Sequence, residues 1–83
     1  MGTRPSTAEV LEEVAAERAR QDATWGEGNP LYRDATTALA VLVEEVGEMA
    51  RATLNGDLDN LRVEAIQVAA VAVAIAERLG AHQ

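Results

Sequence analysis

An all-α fold, a helical hairpin preceded by one N-terminal helix, is what this sequence predicts, and three observations predict it. Ala, Leu, Glu, Arg and Gln dominate the chain, and all are good helix formers. Gly and Pro are confined to a few positions that separate helical stretches. Between those positions the apolar residues recur at three- and four-residue spacing. The first helix is expected over about residues 7–22, because Ser6-Thr7-Ala8-Glu9 spells a capping box. A loop, Trp25-Gly26-Glu27-Gly28-Asn29-Pro30, follows, with Asn29-Pro30 as a turn leading towards the second helix. That helix is expected over about residues 35–54, stopping at Asn55-Gly56. The third runs over about residues 57–79, with Asp57 as cap and Gly80 beyond its end. About three residues join the last two helices, which forces them antiparallel. Residues 1–83 read as one domain.

Composition narrows the function. The chain has 83 residues and 8.8 kDa, 17 of its apolar residues are Ala, and only Trp25 and Tyr32 are aromatic. A chain of this size buries only ~60–65% of its unfolded surface, marginal for a lone monomer. Without Cys, disulfides and thiolate metal sites are excluded. Fourteen acids face seven arginines and no lysine, a net charge of −7, which argues against a nucleic-acid partner because phosphate neutralisation needs a clustered basic surface. No apolar run reaches the ~18 residues of a membrane span and Met1 to Glu9 has no signal-peptide core, so a cytoplasmic protein without a membrane partner is expected. Met1-Gly2-Thr3-Arg4-Pro5-Ser6 fits the loose myristoylation pattern, but Ser6 already serves as the helix cap. From Val68 to Ala76 every residue is Val, Ala or Ile. A helix apolar all round is buried all round, and two short neighbours cannot cover it, so a homodimer or homotetramer is expected.

The carboxylates carry the chemistry. On the second helix Leu39, Leu42, Val43, Val46, Met49 and Ala50 make one apolar stripe; Glu45 and Glu48 lie roughly opposite, beside Ala38, Val41 and Ala52. Gly47 in mid-helix suggests a close approach to the backbone there. On the third helix Glu64 shares a stripe with Leu61, Val68, Val71 and Ile75, and Gln67 stands beside it at i+3, while Arg62 and Glu77 read as solvated charges. An ionised carboxylate on an apolar stripe costs several kcal/mol unless it is paired, protonated or metal-bound. Folding the hairpin brings Glu48 level with Glu64 and Glu45 level with Gln67, about 10–17 Å from the turn at 1.5 Å rise per residue. Four such groups at one level call for a cation, and hard oxygen ligands suit Mg²⁺ or Mn²⁺. The plainer reading is a solvated acidic face with Glu48 paired to Arg51, which leaves Glu64 unexplained; neutralisation of Glu64 by an arginine such as Arg78 is a further alternative.

On the first helix Val10, Leu11 and Val14 define the inner face, which continues through Arg18 and Gln21 towards Trp25. Arg18 could hold a phosphate, Gln21 could read a base edge and Trp25 could stack on a ring. The alternative is that Trp25 fills the core, Arg18 pairs with an acid and Gln21 caps a carbonyl. His82 belongs to the tail and reads as inert.

At these residues the sequence resembles a family. Glu44-Glu45-Val46-Gly47-Glu48, then 15 residues, then Glu64-Ala65-Ile66-Gln67, is similar to the E-E-x-x-E … E-x-x-D signature of the MazG-like all-α nucleotide pyrophosphohydrolases. Glu17-Arg18-Ala19-Arg20-Gln21-Asp22-Ala23-Thr24-Trp25-Gly26 resembles a small, often phage-associated branch of that superfamily. The resemblance spans about residues 9–79. It implies an oligomeric, four-helix-bundle-like assembly that hydrolyses a (d)NTP to the monophosphate and pyrophosphate with Mg²⁺ between the motif helices. It further implies Glu45, Glu48 and Glu64 as Mg²⁺ ligands, Gln67 at the fourth ligand position, and a supporting or water-orienting role for Glu44. Two departures stand out. Gln67 replaces the signature's Asp and removes a negative charge, which also suits a non-catalytic module that keeps the fold and one metal or nucleotide site. The basic phosphate-binding residues found downstream in longer relatives have no counterpart, so Arg18, Arg20, Arg51 or Arg78 would have to replace them.

Overall fold

Ser6 opens the chain's first helix as the composition of its first turn dictates: its hydroxyl accepts from the Glu9 N–H (3.1 Å) and the Glu9 carboxylate accepts from the Ser6 N–H (2.9 Å). The computed structural model describes residues 3–26 and 33–80, the Trp25 side chain excepted. Among these residues there are three α-helices and no strand: α1 (Thr7–Trp25), α2 (Ala35–Leu54) and α3 (Leu58–Leu79). None of them is long and apolar enough to cross a membrane.

Helix α1 continues three residues past the expected end at Asp22, because Ala23, Thr24 and Trp25 offer nothing to break it. It stops at Gly26, whose φ of 56° takes the left-handed region open to glycine. The turn expected at Asn29-Pro30 lies outside the described residues, as do Tyr32 and His82. Asp34 caps α2, accepting from the Thr37 N–H at 2.6 Å. The α2–α3 turn closes at Asn55 and Gly56 (φ 70°), and Asp57 caps α3 by accepting from the Asn60 N–H at 3.1 Å.

Helix α3 is the common partner. Helix α2 runs antiparallel along it and α1 packs on it as well, whereas α1 and α2 scarcely meet. The α2–α3 core is made of small side chains: Ala38, Val71 and Ala74 are fully buried, with Val41, Leu42 and Ile75 packed around them. Among the described residues Val71 is the largest side chain completely removed from water. Such a core contributes little, since a buried Val or Leu is worth only ~1.5–3 kcal/mol.

The packing adds to the sequence reading at several points and corrects it at two, Gly47 and the inner face of α1. The apolar stripe of α2 divides: Leu42 packs on the chain's own core, whereas Leu39, Val43 and Val46 point away and are 54%, 62% and 48% exposed. Ala38 and Ala52 form the inner face, because their small side chains let the two helices approach closely. Gly47 has open space where a Cβ would stand, so nothing in this chain approaches it. On α1 only a narrow strip is covered, because α3 alone packs against it; Val14 is buried and Leu11 faces outward. Arg62 and Glu77 are exposed, as read from the sequence, and each is in addition paired with another helix. Arg62 donates both terminal nitrogens to Glu13 (2.9 and 2.7 Å), and Glu77 accepts from Arg18.

The chain exposes 5846 Å². A folded monomer of its mass is expected to expose ~4,800 Å². Leu54, Leu58 and Val63 are exposed in addition to the outward residues of α2.

Candidate functional site

The antiparallel hairpin sets residues of α2 and α3 at equal heights above the turn, and at one such height three carboxylates meet. Glu45, Glu48 and Glu64 each place an oxygen within 4.8 Å of the others. Glu64 is the most enclosed of the three, Glu45 is partly buried and Glu48 is exposed. Gln67 completes the group. In the orientation its neighbours dictate, its amide –NH₂ donates to Glu45 Oε2 (3.1 Å) and Glu64 Oε2 (3.0 Å). Gln67 therefore meets the carboxylates as a hydrogen-bond donor in this arrangement; its oxygen faces a cation only when the amide turns over. Glu44 stands outside the group, exposed, but close enough for its charge to raise the Glu45 pKa.

Crowding shows in the protonation. The Glu64 carboxyl is pushed from its ordinary 4.5 up to about 7, first by burial, then by its hydrogen bonds with Glu48 and Glu45 and their charges. Burial and the neighbouring Glu48 charge also raise Glu45, while its hydrogen bond with Glu64 pulls the other way. Near neutral pH Glu64 is therefore still partly protonated, where an ordinary surface glutamate would have released its proton.

Stability must follow. Between pH 4.5 and about 7 the folded chain keeps a proton on Glu64 that the unfolded chain has lost, so stability falls as pH rises through that window. Glu9, Glu13 and Asp34 act in the opposite sense. Hydrogen bonds with Ser6, Arg62 and Thr37 hold their carboxyls low, and their contribution disappears as acid protonates them. In chelator-containing buffer the melting temperature should peak near pH 5 and fall by roughly 5–15 °C by pH 8. Glu64→Gln should flatten that fall. A wild-type melting temperature constant from pH 5 to 8 would count against the packed triad.

Two hollows flank the carboxylates. A groove of about 360 Å³ between α1 and α3 has Ala16, Val63 and Ile66 as its floor, Gln67 at one side, and Arg20 and Arg62 at its rim. Both arginines are already paired, Arg20 with Glu17 (2.6 Å) and Arg62 with Glu13 (2.7 Å). The second hollow, about 260 Å³, opens at the hairpin turn and is lined by Glu48, Arg51, Asn55, Asp57, Asn60 and Glu64. Arg51 forms no ion pair with Glu48 or with any other described group.

The residues expected to read a nucleotide lie apart from the carboxylates. Arg18 is buried and engaged: it donates to Glu77 (3.1 Å), Asp22 (3.1 Å) and Gln21 Oε1 (3.3 Å). Glu77 sits thirteen residues beyond Glu64, ~20 Å along the α3 axis. Arg18, with the buried Gln21 accepting from it, therefore ties α1 to the far end of α3 through Glu77. The Trp25 side chain lies outside the described residues. Arg78 donates to the Arg33 carbonyl (3.0 Å) and leaves Glu64 to its acidic neighbours. From α1 it is instead Glu17 and Arg20 whose charges reach Glu45. Their i,i+3 spacing signalled a pair, but only the crossing of α1 over α3 brings that pair to the site.

The donor set fits a hard divalent cation: three carboxylates on two helices, able to converge from one side and leave the other open. No protein-family model, curated protein or solved structure matches this chain.

Proposed function

We propose that this chain is a Mg²⁺-dependent nucleoside triphosphate pyrophosphohydrolase of the MazG-like kind, releasing a nucleoside monophosphate and pyrophosphate, with Mn²⁺ as a substitute metal. The observation that carries the reading is the convergence of Glu45, Glu48 and Glu64, from two antiparallel helices, at one level of the hairpin with no cationic side chain among them. Glu45, Glu48 and Glu64 would hold the metal, with the Gln67 oxygen at a fourth position after its amide turns. The bound ion would neutralise the triphosphate and acidify a water molecule. The rest falls to positioning, as is usual for phosphoryl chemistry. Glu44, exposed and outside the group, would support the site or orient that water. An enzyme acting on nucleotide pools belongs in the cytoplasm.

Two copies would pair through α2. Leu39, Val43, Val46 and Ala50 recur at 4-3-4 spacing, the seam of a two-helix coil. A standard interface covers ~800 Å² per partner, and this exposed stripe would supply its apolar centre. Glu45 and Glu48 lie on the opposite face of α2, so pairing leaves the carboxylates open. A four-helix bundle built from two hairpins satisfies both requirements, and a tetramer would repeat it.

One observation favours a second reading, a binding module without catalysis. The Gln67 amide already gives two hydrogen bonds to the carboxylates, part of the neutralisation that a metal would provide. The test is titration of Mg²⁺ and Mn²⁺ with and without a non-hydrolysable dNTP analogue, followed by assay of all eight (d)NTPs for pyrophosphate release. The enzymatic reading expects metal binding that tightens with the analogue, and release from at least one nucleotide. Binding without release selects the module, and absence of metal binding overturns both.

A further inference from the structure

Among the described side chains of α1, Val14, Arg18 and Gln21 are buried, and they form one stripe at i, i+4 and i+7. Only the first is apolar. Helix α1 packs on α3 and scarcely meets α2, so this stripe is the seam that holds it. The seam is also incompletely filled, because the groove of about 360 Å³ over Ala16, Val63 and Ile66 lies within it. It gains little from a hydrophobic driving force that grows with the apolar area removed from water. Two ion pairs span the seam instead. Glu13 accepts from both terminal nitrogens of Arg62 (2.9 and 2.7 Å), and Glu77 meets the Arg18 guanidinium at 3.1 and 3.0 Å. The hairpin, by contrast, has an apolar core contributed by α2 and α3 alone, with Ala38, Val71 and Ala74 at its centre.

The charges are arranged so that α1 can leave. Arg18 also donates to Asp22 (3.1 Å) and Gln21 (3.3 Å) on its own helix, and Arg20 pairs there with Glu17 (2.8 and 2.6 Å). Undocking moves Arg18 into water with its Asp22 partner in place, and it leaves Glu77 and Arg62 on α3 at positions that are already exposed. No charge of these pairs stays buried and alone, the state that makes opening a buried ion pair costly. The capping box at Ser6 and the i,i+3 and i,i+4 pairs travel with the helix. We propose that α1 is a strap over the carboxylate side of the hairpin: it opens from α3 as a unit while α2 and α3 stay folded, and the Glu13–Arg62 and Arg18–Glu77 pairs are its two fastenings. Opening changes the surroundings of the carboxylates. Glu17 and Arg20, whose charges reach Glu45, leave with the strap, and the Gln67 side of the groove is uncovered. Ionic strength regulates the strap, because the range of exposed charges shrinks from ~10 Å at 0.1 M salt to ~3 Å at 1 M. The strap stands whether or not the carboxylates hold a metal.

The test is native-state hydrogen exchange of the whole chain as wild type, Glu77→Gln, Arg62→Gln and the double variant. It is read at the amides of Val14 to Gln21 on α1 and at those of Val71 and Ala74 on α3. The α1 amides should be at least about 10-fold less protected than those of Val71 and Ala74, as befits a unit that opens below global unfolding. Each single variant should lower α1 protection a further about 2–5-fold, the range of a solvent-facing ion pair, and the double variant by about the product. Protection at Val71 and Ala74 should stay within about 2-fold of wild type. Raising NaCl from about 0.1 to about 0.5 M should reproduce the loss in the wild type and change the double variant little. Arg51→Gln removes an equal charge from α2 and should leave α1 at its wild-type protection. Arg62 and Glu77 are exposed, so the variants are expected to fold, with helicity measured to check, and the salt series tests the fastenings without any substitution. Equal protection of α1 and the α3 core would show one cooperative unit and overturn the strap. Protection of α1 that responds neither to the double variant nor to salt would overturn it too, because the ion pairs would then not be what holds it.

Discussion

Glu64→Ala should abolish metal binding and stabilise the fold at the same time. Glu64 is the carboxylate on which the other two converge, so its removal leaves Glu45 and Glu48 one turn apart on a single helix, a far weaker chelate. Mg²⁺ affinity should fall at least about 100-fold, and with it any pyrophosphate release, consistent with metal ligands whose loss removes charge and geometry together. Stability without metal should move the other way. At pH 8 the folded chain must ionise a carboxyl whose pKa stands near 7, and the substitution removes that cost, on the order of 1–3 kcal/mol. Calorimetric titration and denaturant unfolding on the same preparation check both halves. A purely structural Glu64 would give the reverse pattern, unchanged Mg²⁺ affinity with lowered stability, and that outcome would sink the metal centre.

Val43→Glu should turn an oligomer into a folded monomer. Val43 is 62% exposed in the single chain and sits in the middle of the outward stripe of α2. In a paired assembly its replacement would bury an ionised carboxylate against Leu39, Val46 and their counterparts, a cost of several kcal/mol per chain. The self-dissociation constant should rise at least about 100-fold, which sedimentation velocity over a concentration series would read. Helicity should be retained, because the chain's own core is Ala38, Val71 and Ala74 on the other side. The wild type should melt at temperatures that rise with protein concentration, and the variant should lose that dependence. A wild type that sediments as a monomer at all concentrations would remove α2 as an interface.

Much of the carboxylate group was legible in the sequence because it depends on short-range rules. Caps such as Ser6 with Glu9, the Asn55-Gly56 stop and the three-residue turn specify where helices begin, end and reverse. Once the hairpin is antiparallel, a rise of ~1.5 Å per residue brings Glu48 level with Glu64 and Glu45 level with Gln67. The role of Gln67 was less legible. Its amide has a donor side and an acceptor side, and only the crowding of Glu45 and Glu64 decides which one faces inward. Helix α1 runs on past Asp22 because Ala23 to Trp25 include no helix-breaking residue, and Gly26 is the stop.

What the sequence determined by itself is therefore local: three helices, their caps, the reversal between α2 and α3, and the common height of four polar side chains. All of these follow from hydrogen bonds and geometry within a few residues of one another. The tertiary structure decided which faces meet. Helical periodicity distinguishes the sides of α2, but close approach to α3 selected Ala38 and Ala52 for the inside and left Leu39, Val43 and Val46 outside. It also decided the fate of the arginines, since Arg18 meets Glu77 across 59 residues of chain and Arg62 meets Glu13 across 49. Such pairings depend on how α1 crosses α3. That crossing is a compromise among the burial of all three helices, which no stretch of the sequence encodes on its own.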